Sequence, residues 1–193
     1  MQTRNQVRSW FAMRTTYGRE KKAYNYIVDR GTKAFYPTTI CKHIDRNGKL
    51  TLREMSLLPN IFFIFATESE AKSYAYDNSN LPFLRFYYCQ HHDGTKEPMI
   101  IPEYQIENLR IICRLKEHEN KVLMESIHKF KSGQLVRVVG GPFKGFTGIV
   151  ARYKGQQCVG VCIDGIGTVK TTYIATCYLD NIDNINILEN GTK

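Results

Sequence analysis

Four glycines within nine residues, at positions 140–148, constrain the fold of this chain more than any other stretch. Glycines spaced this closely predict a tight backbone turn with positive φ at one or more positions. The stretch reads Gly-Gly-Pro-Phe-Lys-Gly-Phe-Thr-Gly and lies between the apolar runs 135–139 and 149–151. A phosphate-binding loop would carry Gly-Lys-Ser/Thr and lead into a helix, whereas a β-branched run follows here. The stretch therefore predicts a turn inside a small β barrel.

Short β-rich runs separated by turn residues make up the sequence from residue 132 onward. They occupy the ranges 134–139, 147–154, 157–164, 167–175 and 177–182. Short strands at this spacing are typical of small all-β barrels. We therefore predict a β-barrel domain at residues 132–183, followed by a flexible polar tail at residues 184–193.

The sequence before residue 114 alternates strand-like and helix-like segments. Strands are predicted at residues 7–15, 33–41, 60–66 and 81–88, and helices at residues 19–29, after residue 67 and after residue 102. Thr67 and Glu70 have the spacing of a capping box at the start of the second helix. An antiparallel or mixed sheet flanked by helices fits this order. We therefore predict an α+β domain at residues 1–113 and a linker at residues 114–131, where charged residues crowd together.

The net charge of +9 is concentrated at the N-terminus. Residues 1–54 contain 12 Lys or Arg against 4 Asp or Glu, which gives +8. Residues 55–112 contain 4 against 7, and residues 113–193 contain 11 against 7. A basic surface of this kind either keeps the protein soluble or lies near nucleic-acid phosphates. Charge alone does not distinguish these two interpretations.

The sequence favours a cytoplasmic protein without a catalytic or metal centre. No apolar export signal opens the chain, and the longest apolar run, 57–66, is too short to span a bilayer. The six cysteines are therefore expected to be reduced. His91 and His92 form the only histidine cluster and lack partners at metal-ligand spacing. No nucleophile–base pair or carboxylate pair stands out, so we expect no metal, no cofactor and no enzymatic activity.

Four motifs together resemble one protein family. Residues 132–148 resemble the KOW motif, the signature of SH3-like barrels that occur in NusG-type transcription factors and in some ribosomal proteins. The aromatic pair at residues 10–11, followed by Gly18, resembles the opening strand of the NusG N-terminal domain. Residues 35–37 (Phe-Tyr-Pro) resemble its second strand, and residues 57–64 resemble its Phe-Pro-Gly-Tyr central strand. The chain therefore resembles NusG-family transcription elongation factors over nearly its full length.

Two replacements in the central strand motif indicate a specialised member of that family. Leu58 stands where the family usually has Phe, and Asn60 stands where it usually has Gly. The Pro-Asn version is similar to operon-restricted paralogues. The resemblance therefore implies a dedicated antitermination factor, for example one that serves surface-polysaccharide operons.

The resemblance implies three contact surfaces. The N-terminal domain would bind the RNA polymerase clamp through a set of apolar side chains, namely Trp10, Phe11, Phe35, Tyr36, Leu58, Phe62, Phe63 and Phe65. The upstream non-template DNA would pass near Arg19, Lys21 and Lys22, of which Lys22 matches a basic position used by specialised members. The barrel would bind a ribosomal small-subunit protein or Rho through Phe143, Lys144, Phe146 and Ile166. Because side chains alternate along a strand, part of the first set is expected in the core.

Within the barrel set, the residues differ in what they predict. Phe143 is expected to be exposed, because Pro142 and Lys144 flank it. Phe146 fits a core position and a contact position equally well. Ile166 stands where the family often has Phe, which makes Rho the weaker of the two candidate partners.

A ribosome-associated RNA-binding KOW protein is the alternative interpretation. It explains the basic charge and the barrel, but it leaves the aromatic α+β half unexplained. A ribosomal barrel is expected to be strongly basic, whereas residues 132–193 contain only 6 Lys or Arg against 4 Asp or Glu. The sequence therefore favours a monomeric bacterial factor of the NusG type.

Overall fold

The structure is a computed structural model that describes residues 7–16, 18–44, 46–90, 93–114, 134–153, 156–163, 166–171 and 174–182. The chain divides into two compact units. The N-terminal unit contains Met1–Thr39 and His43–Pro102, and the C-terminal unit contains Ile40–Lys42 and Glu103–Lys193. The predicted tail lies outside the described residues, as does the predicted linker apart from Arg114, which ends a helix.

The N-terminal unit is built around an antiparallel sheet. The elements up to residue 101 are β1 (Ser9–Thr15), α1 (Glu20–Val28), β2 (Lys33–Phe35), β3 (Thr38–Ile44), β4 (Leu50–Ser56), β5 (Ile61–Ala66), α2 (Glu68–Tyr76), β6 (Leu84–Phe86), β7 (Tyr88–Gln90), β8 (Lys96–Pro98) and β9 (Ile100–Ile101). The main sheet has the order β2-β5-β1-β6, and β9 also pairs with β1. Two hairpins, β3–β4 and β7–β8, form separate two-stranded sheets. This architecture confirms the predicted α+β class.

One face of the main sheet packs against α1 and α2 to form the core of the unit. Met13 of β1 lies opposite Phe62 of β5, and Phe11 lies opposite Ile64. All four are buried, and they pack with small and aliphatic residues of the two helices, namely Ala23, Ile27, Ala71 and Ala75. Because side chains alternate along a strand, the intervening residues of β1 and β5 belong to the opposite face.

The start of α2 is as predicted, whereas the segment that follows α2 differs from the prediction. The Thr67 hydroxyl accepts a hydrogen bond from the Glu70 amide, and the Glu70 carboxylate accepts one from the Thr67 amide, which confirms the capping box. The strand predicted at residues 81–88 is wrong in extent, because it is replaced by the short strands β6 and β7. Turn bonds from the Leu81 amide to the Asn78 carbonyl and from the Leu84 amide to the Leu81 carbonyl occupy its first half.

Within its described residues, the C-terminal unit combines one α-helix with a five-stranded antiparallel sheet. It contains α3 (Glu103–Arg114), β10 (Leu135–Val138), β11 (Thr147–Tyr153), β12 (Gln156–Ile163), β13 (Gly167–Lys170), a 3-10 turn (Thr176–Tyr178) and β14 (Leu179–Asn181). The strand order is β13-β12-β11-β10-β14. All five predicted strands are present, although the fourth ends at Lys170 instead of continuing to residue 175. Closure into a barrel stays a prediction.

Three global expectations concern the described residues. Cys89, Cys113, Cys158 and Cys177 are reduced. Within the described ranges no three His, Cys, Asp or Glu side chains converge on a point where they would hold a metal ion, and His91 and His92 lie outside those ranges. None of the helices in the described part of the chain has the length and apolar character needed to cross a membrane.

Candidate functional site

An aromatic face covers the side of the main sheet opposite α1 and α2. We define it as Trp10, Phe35, Phe63 and Phe65, with Lys33 at its margin. The Trp10 and Phe65 rings are 5.3 Å apart between centroids, and the Phe35 and Phe63 rings stack at 6.2 Å. The Lys33 ammonium lies 5.2 Å from the Trp10 ring and 5.1 Å from the Phe65 ring. The face is therefore a continuous aromatic surface with one cation over its rings.

Burial divides the aromatic face into a floor and a rim. Trp10 is 2% exposed and Phe63 is fully buried, whereas Phe35 and Phe65 are half-buried and Lys33 is exposed. A surface with a rigid aromatic floor and a cationic rim suits a protein partner that offers apolar and acidic side chains. Lys33 was not identified from the sequence. Its position two residues before Phe35 on a strand was the available signal, since this spacing places both on one face.

The other four side chains predicted for the clamp surface lie elsewhere. Phe11 and Phe62 belong to the core under the two helices, so their predicted contact role is wrong in geometry. Leu58 is also buried, at 1% exposure. Tyr36 is half-buried, and its ring packs 6.0 Å from that of Tyr24. Burial raises the pKa of the Tyr36 phenol, while a hydrogen bond with a neighbouring serine opposes that shift.

Asn60 organises the turn before β5. It is the one non-glycine residue with a left-handed backbone in the described ranges, with φ of 67°. Its carbonyl accepts a hydrogen bond from the Thr15 amide at 2.8 Å, and its side-chain oxygen accepts one from the Gly18 amide at 3.1 Å. Its own amide donates to the buried carboxylate of Glu20. Asn60 therefore joins the end of β1, the glycine turn and the start of α1.

The three predicted DNA-proximal cations adopt two different arrangements. The Arg19 guanidinium lies 5.1 Å from the centroid of the Phe83 ring, and the Lys22 ammonium lies 5.8 Å from it. Lys21 instead forms a 2.6 Å ion pair with Glu54 of β4. The structure therefore brings two of the three cations together on one ring.

The Lys21–Glu54 pair fixes the base of the β3–β4 hairpin to α1. Glu54 also accepts a hydrogen bond from the Thr38 hydroxyl at 3.0 Å. The hydrogen bond with Glu54, followed by its charge, raises the pKa of Lys21. The hydrogen bonds from Lys21 and then Thr38 lower the pKa of Glu54. Both shifts favour the charged pair.

The β3–β4 hairpin carries an exposed apolar strip that sequence reasoning missed. The Thr38–Glu54 hydrogen bond places the even-numbered residues of both strands on one face. The aliphatic residues on that face that belong to the N-terminal unit, each more than half exposed, are Ile44, Leu50 and Leu52. The two-residue spacing of Leu50 and Leu52 was a visible strand signal in the sequence.

The glycine loop of the C-terminal unit turns its aromatic residues inward. Gly141 and Gly145 have φ of 73° and 92°, as the sequence predicted for at least one position. Phe143 is 4% exposed and Phe146 is fully buried, and their rings meet edge to face at 6.4 Å. The predicted exposure of Phe143 is therefore wrong, because its ring packs on Phe146. Lys144 is exposed and Ile166, elsewhere in the unit, is half-buried.

The first two glycines of the loop accommodate an aromatic side chain from the other end of the unit. A Cβ atom added to Gly140 would lie 2.6 Å from Cδ1 of Tyr178, and one added to Gly141 would lie 3.4 Å from the same ring. The Tyr178 ring is 44% exposed. Gly140 is therefore needed for close approach of a side chain, a role that its sequence context did not reveal.

A groove of about 350 Å³ lies beside α2 in the N-terminal unit. The hydroxyls of Tyr76 and Tyr88 hydrogen-bond to each other at its wall, and Glu68 and Lys72 form an ion pair there. Burial, followed by the hydrogen bond with Tyr76, raises the pKa of Tyr88 to about 12. The Tyr88 phenol is therefore neutral at physiological pH, and the groove offers mixed polar and aromatic contacts.

Comparison with known proteins gave matches to two family descriptions and to solved structures. The family "Transcription termination factor nusG" matches residues 8–110, and the KOW motif matches residues 132–159. One similar solved structure, "Domain interaction in Thermotoga maritima NusG", shares 18% identity and a TM-score of 0.42. That match covers 93% of this chain and 99% of the other. A search among curated proteins found no match.

Proposed function

This chain belongs to the NusG family of transcription elongation and termination factors, and we propose that it binds the RNA polymerase clamp and suppresses pausing or termination. Members of this family generally bind RNA polymerase and are not enzymes. The ribosome-associated alternative would account for the KOW match at residues 132–159. It would not account for the family match over residues 8–110.

The aromatic face carries this proposal. Aromatic side chains supply much of the binding energy at protein interfaces, especially where a cation adjoins them. Phe35, Phe65 and Lys33 form the accessible rim. The buried Trp10 ring packs against Phe65, and the buried Phe63 ring packs against Phe35. We propose that this rim contacts the clamp.

The cations around Phe83 support a second contact, with the upstream non-template DNA. Arg19 and Lys22 share one aromatic ring, so their charges are held close together at the N-terminal end of α1. Two neighbouring cations suit a phosphate backbone, which they would contact without reading its sequence. Lys21 is a weaker candidate because it already pairs with Glu54.

The specialised role rests on the turn at Asn60. A residue with a side chain in this left-handed position is favoured only if it is Asn or Asp, and here the side chain also bonds the Gly18 amide. We propose that this Pro-Asn turn marks an antiterminator dedicated to particular operons, such as surface-polysaccharide loci. Lys144 and Ile166 would then belong to a surface for a second partner, a ribosomal small-subunit protein or Rho.

Transcription in vitro past a terminator tests the proposal, with core polymerase and the leader of the protein's own operon. We expect the wild-type chain to increase read-through and Phe65→Asp to abolish the increase. Loss of an aromatic anchor worth about 2 kcal/mol would weaken polymerase binding about 30-fold. Tyr76→Asp is the matched control, because Tyr76 is exposed on α2, which covers the opposite face. Full activity of Phe65→Asp would contradict the role of the aromatic face.

The DNA contact has a separate test in salt dependence. Lys22→Glu should weaken association with elongation complexes strongly at about 50 mM salt and little at about 300 mM, because counterions screen the charge. Lys72→Glu is the control, since Lys72 pairs with Glu68 on α2. If both variants lost association equally, the net charge of the protein would explain the loss, and not the position of Lys22 at the Phe83 ring.

A further inference from the structure

One wall of the groove beside α2 is a single face of that helix. Glu68, Lys72 and Tyr76 follow one another at intervals of four residues, which places them on one side of α2. The Glu68 carboxylate and the Lys72 ammonium form an ion pair at 2.7 Å. A partly exposed pair of this kind contributes little to stability, so another carboxylate can compete for Lys72.

The opposite wall is one face of the β7–β8 hairpin. Tyr88 lies opposite Pro98, so these two side chains share one side of the hairpin. Lys96 is two residues before Pro98 on the same strand and points to that side as well. Glu97 also borders the groove, but the alternation of side chains directs its carboxylate to the other side. Lys96 is therefore the charged group of β8 that is directed at the groove.

The aromatic rings of the two walls are fixed by the core beneath them. The centroids of the Tyr76 and Tyr88 rings each lie 6.0 Å from that of Phe86, which meets Phe11 edge to face at 5.8 Å. Phe86 and Phe11 are buried, whereas Tyr76 and Tyr88 are 53% and 39% exposed. The two phenols also hydrogen-bond to each other. This bond uses one of their two hydroxyl protons, so the other proton remains for a ligand.

Positive charge is concentrated in this groove. Residues 55–112 contain only four Lys or Arg against seven Asp or Glu, and two of those four are Lys72 and Lys96. Lys72 and Lys96 against Glu68 give a net charge of +1 directed at the groove. Ile100, which is 47% exposed, adds an apolar side chain to the lining. The groove therefore combines ammonium groups, a hydroxyl donor and an exposed aliphatic side chain.

We propose that this groove binds an extended segment of a partner protein, in which a Glu or Asp side chain lies beside an aliphatic residue. The carboxylate lies between Lys72 and Lys96 and accepts a hydrogen bond from the remaining phenol O–H, while the aliphatic side chain packs on Ile100. The tyrosines of the walls are too exposed to enclose a small molecule, so a chain segment that passes along the groove fits better. Pro98 has no N–H, so side chains hold the segment, and not addition of a strand to β8.

The partner is a protein other than the core polymerase. The groove lies beside α2, and α2 covers the face of the main sheet opposite the aromatic face. A polymerase that docks on the aromatic face therefore leaves the groove accessible to a second protein. The inference goes beyond the proposed function and does not depend on it.

Titration of the 15N-labelled full chain with a short peptide, followed by NMR, tests the site. The probe is an acetylated and amidated peptide with one Glu between two Leu residues, and the matched peptide carries Gln in place of Glu. We expect the Glu peptide to cause saturable shifts of the Tyr76, Tyr88 and Lys96 amide signals. The Gln peptide should bind about tenfold more weakly, because it loses the charge-assisted hydrogen bonds.

A charge reversal at Lys96 tests the same contact from the side of the protein. Lys96→Glu should weaken binding of the Glu peptide by about tenfold, because it replaces an attracting charge with a repelling one. Lys96 is exposed, so the unfolding temperature of the variant should stay at the wild-type value. Arg53→Glu is the matched control, since Arg53 is exposed on β4 and its replacement changes the net charge equally. It should leave the affinity for the peptide unchanged.

Four outcomes would overturn the proposal. The first is the absence of saturable shifts at the groove, and the second is equal affinity for the Glu and Gln peptides. The third is an equal loss of affinity in Lys96→Glu and Arg53→Glu, since net charge alone would then explain the binding. The fourth is a single-stranded DNA oligonucleotide that shifts the same signals at lower concentration than the peptide, because the groove would then take phosphate and not a protein segment.

Tyr76→Asp separates the groove from the proposed function. The new carboxylate repels the acidic peptide, so binding should weaken, whereas read-through with purified polymerase should stay at the wild-type level. A wild-type chain without any effect on read-through would refute the proposed function and leave the peptide titration as it is. A wild-type chain that binds no peptide, and whose read-through depends on Phe65, would refute the groove proposal alone.

Discussion

Asn60 offers the sharpest test of how the N-terminal unit is built. Its side chain bonds the Gly18 amide, and its backbone has φ of 67°, where most side chains are strained. Two substitutions separate these effects. Asn60→Gly removes the side-chain hydrogen bond and leaves a residue that adopts this φ without steric cost. Asn60→Ala removes the same bond and keeps the Cβ atom, but it lacks the short polar side chain that makes left-handed backbone tolerable for Asn.

The expected losses follow from these two contributions. Asn60→Gly should lower the free energy of unfolding by about 1 kcal/mol, the typical net value of one hydrogen bond. Asn60→Ala should lower it by about 2 kcal/mol, because about 1 kcal/mol of left-handed strain is added. With a urea dependence of about 2 kcal/mol/M, the unfolding midpoint of the Ala variant should fall by about 1 M.

Tryptophan fluorescence during urea unfolding measures this directly. Trp10 is the only tryptophan of the chain and is 2% exposed, so its emission reports unfolding of the N-terminal unit. Equal midpoints for the Gly and Ala variants would refute the strain contribution. A Gly variant as stable as the wild type would instead refute the contribution of the Gly18 hydrogen bond.

Two further predictions concern stability. Gly140→Ala should destabilise the C-terminal unit by about 1–3 kcal/mol in thermal unfolding, since the new methyl would lie 2.6 Å from the Tyr178 ring. Tyr178→Ala, combined with Gly140→Ala, should rescue most of that loss. Additive effects of the two substitutions would show that the two sites do not interact. The Lys21–Glu54 pair should stabilise the hairpin base between about pH 4.5 and 10.5, the ordinary pKa values of the two groups. Because the pKa of Glu54 is lowered, the contribution of Glu54 to the free energy of unfolding is lost as the pH falls below 4.5. Because the pKa of Lys21 is raised, the contribution of Lys21 is lost as the pH rises above 10.5. The difference in unfolding temperature between wild type and Glu54→Gln should therefore shrink at both extremes, and a constant difference would contradict the pairing.

Features encoded by neighbouring residues could be predicted from the sequence. The Thr67–Glu70 capping box is such a case, because both partners lie within one helical turn. The succession of strands and helices along the chain followed from turn residues and apolar runs. Positive φ at one or more positions of the glycine loop, found at Gly141 and Gly145, followed from the density of glycines. These signals need no knowledge of distant contacts.

Features that depend on a distant partner could not be predicted in this way. The exposure of Phe143 was misjudged because its polar neighbours are visible in the sequence, whereas its contact with the Phe146 ring depends on the turn geometry. Phe62 lies in the core under the helices and Phe63 lies on the opposite face, but the same apolar run would fit the reverse arrangement equally well. Alternation fixes that they point apart, and only the packed helices decide which one faces the core.

Helix α3 shows why a sequence boundary and a folded unit need not coincide. The family match for the N-terminal domain ends at residue 110 and the KOW match begins at residue 132, yet α3 belongs to the same compact unit as β11. Deleting residues 132–193 therefore removes Thr147, the hydrogen-bonding partner of Asn108.

This deletion is nevertheless expected to preserve pause suppression. Asn108 can bond water once the strand is gone, and the aromatic face lies wholly in the N-terminal unit. Pausing on a defined template in vitro measures this, with Asn108→Ala in the full chain as the control for loss of the α3 contact alone. If the deletion abolishes pause suppression while polymerase still binds and Asn108→Ala remains active, the C-terminal strands take part in the activity, and the assignment of pause suppression to the aromatic face is wrong.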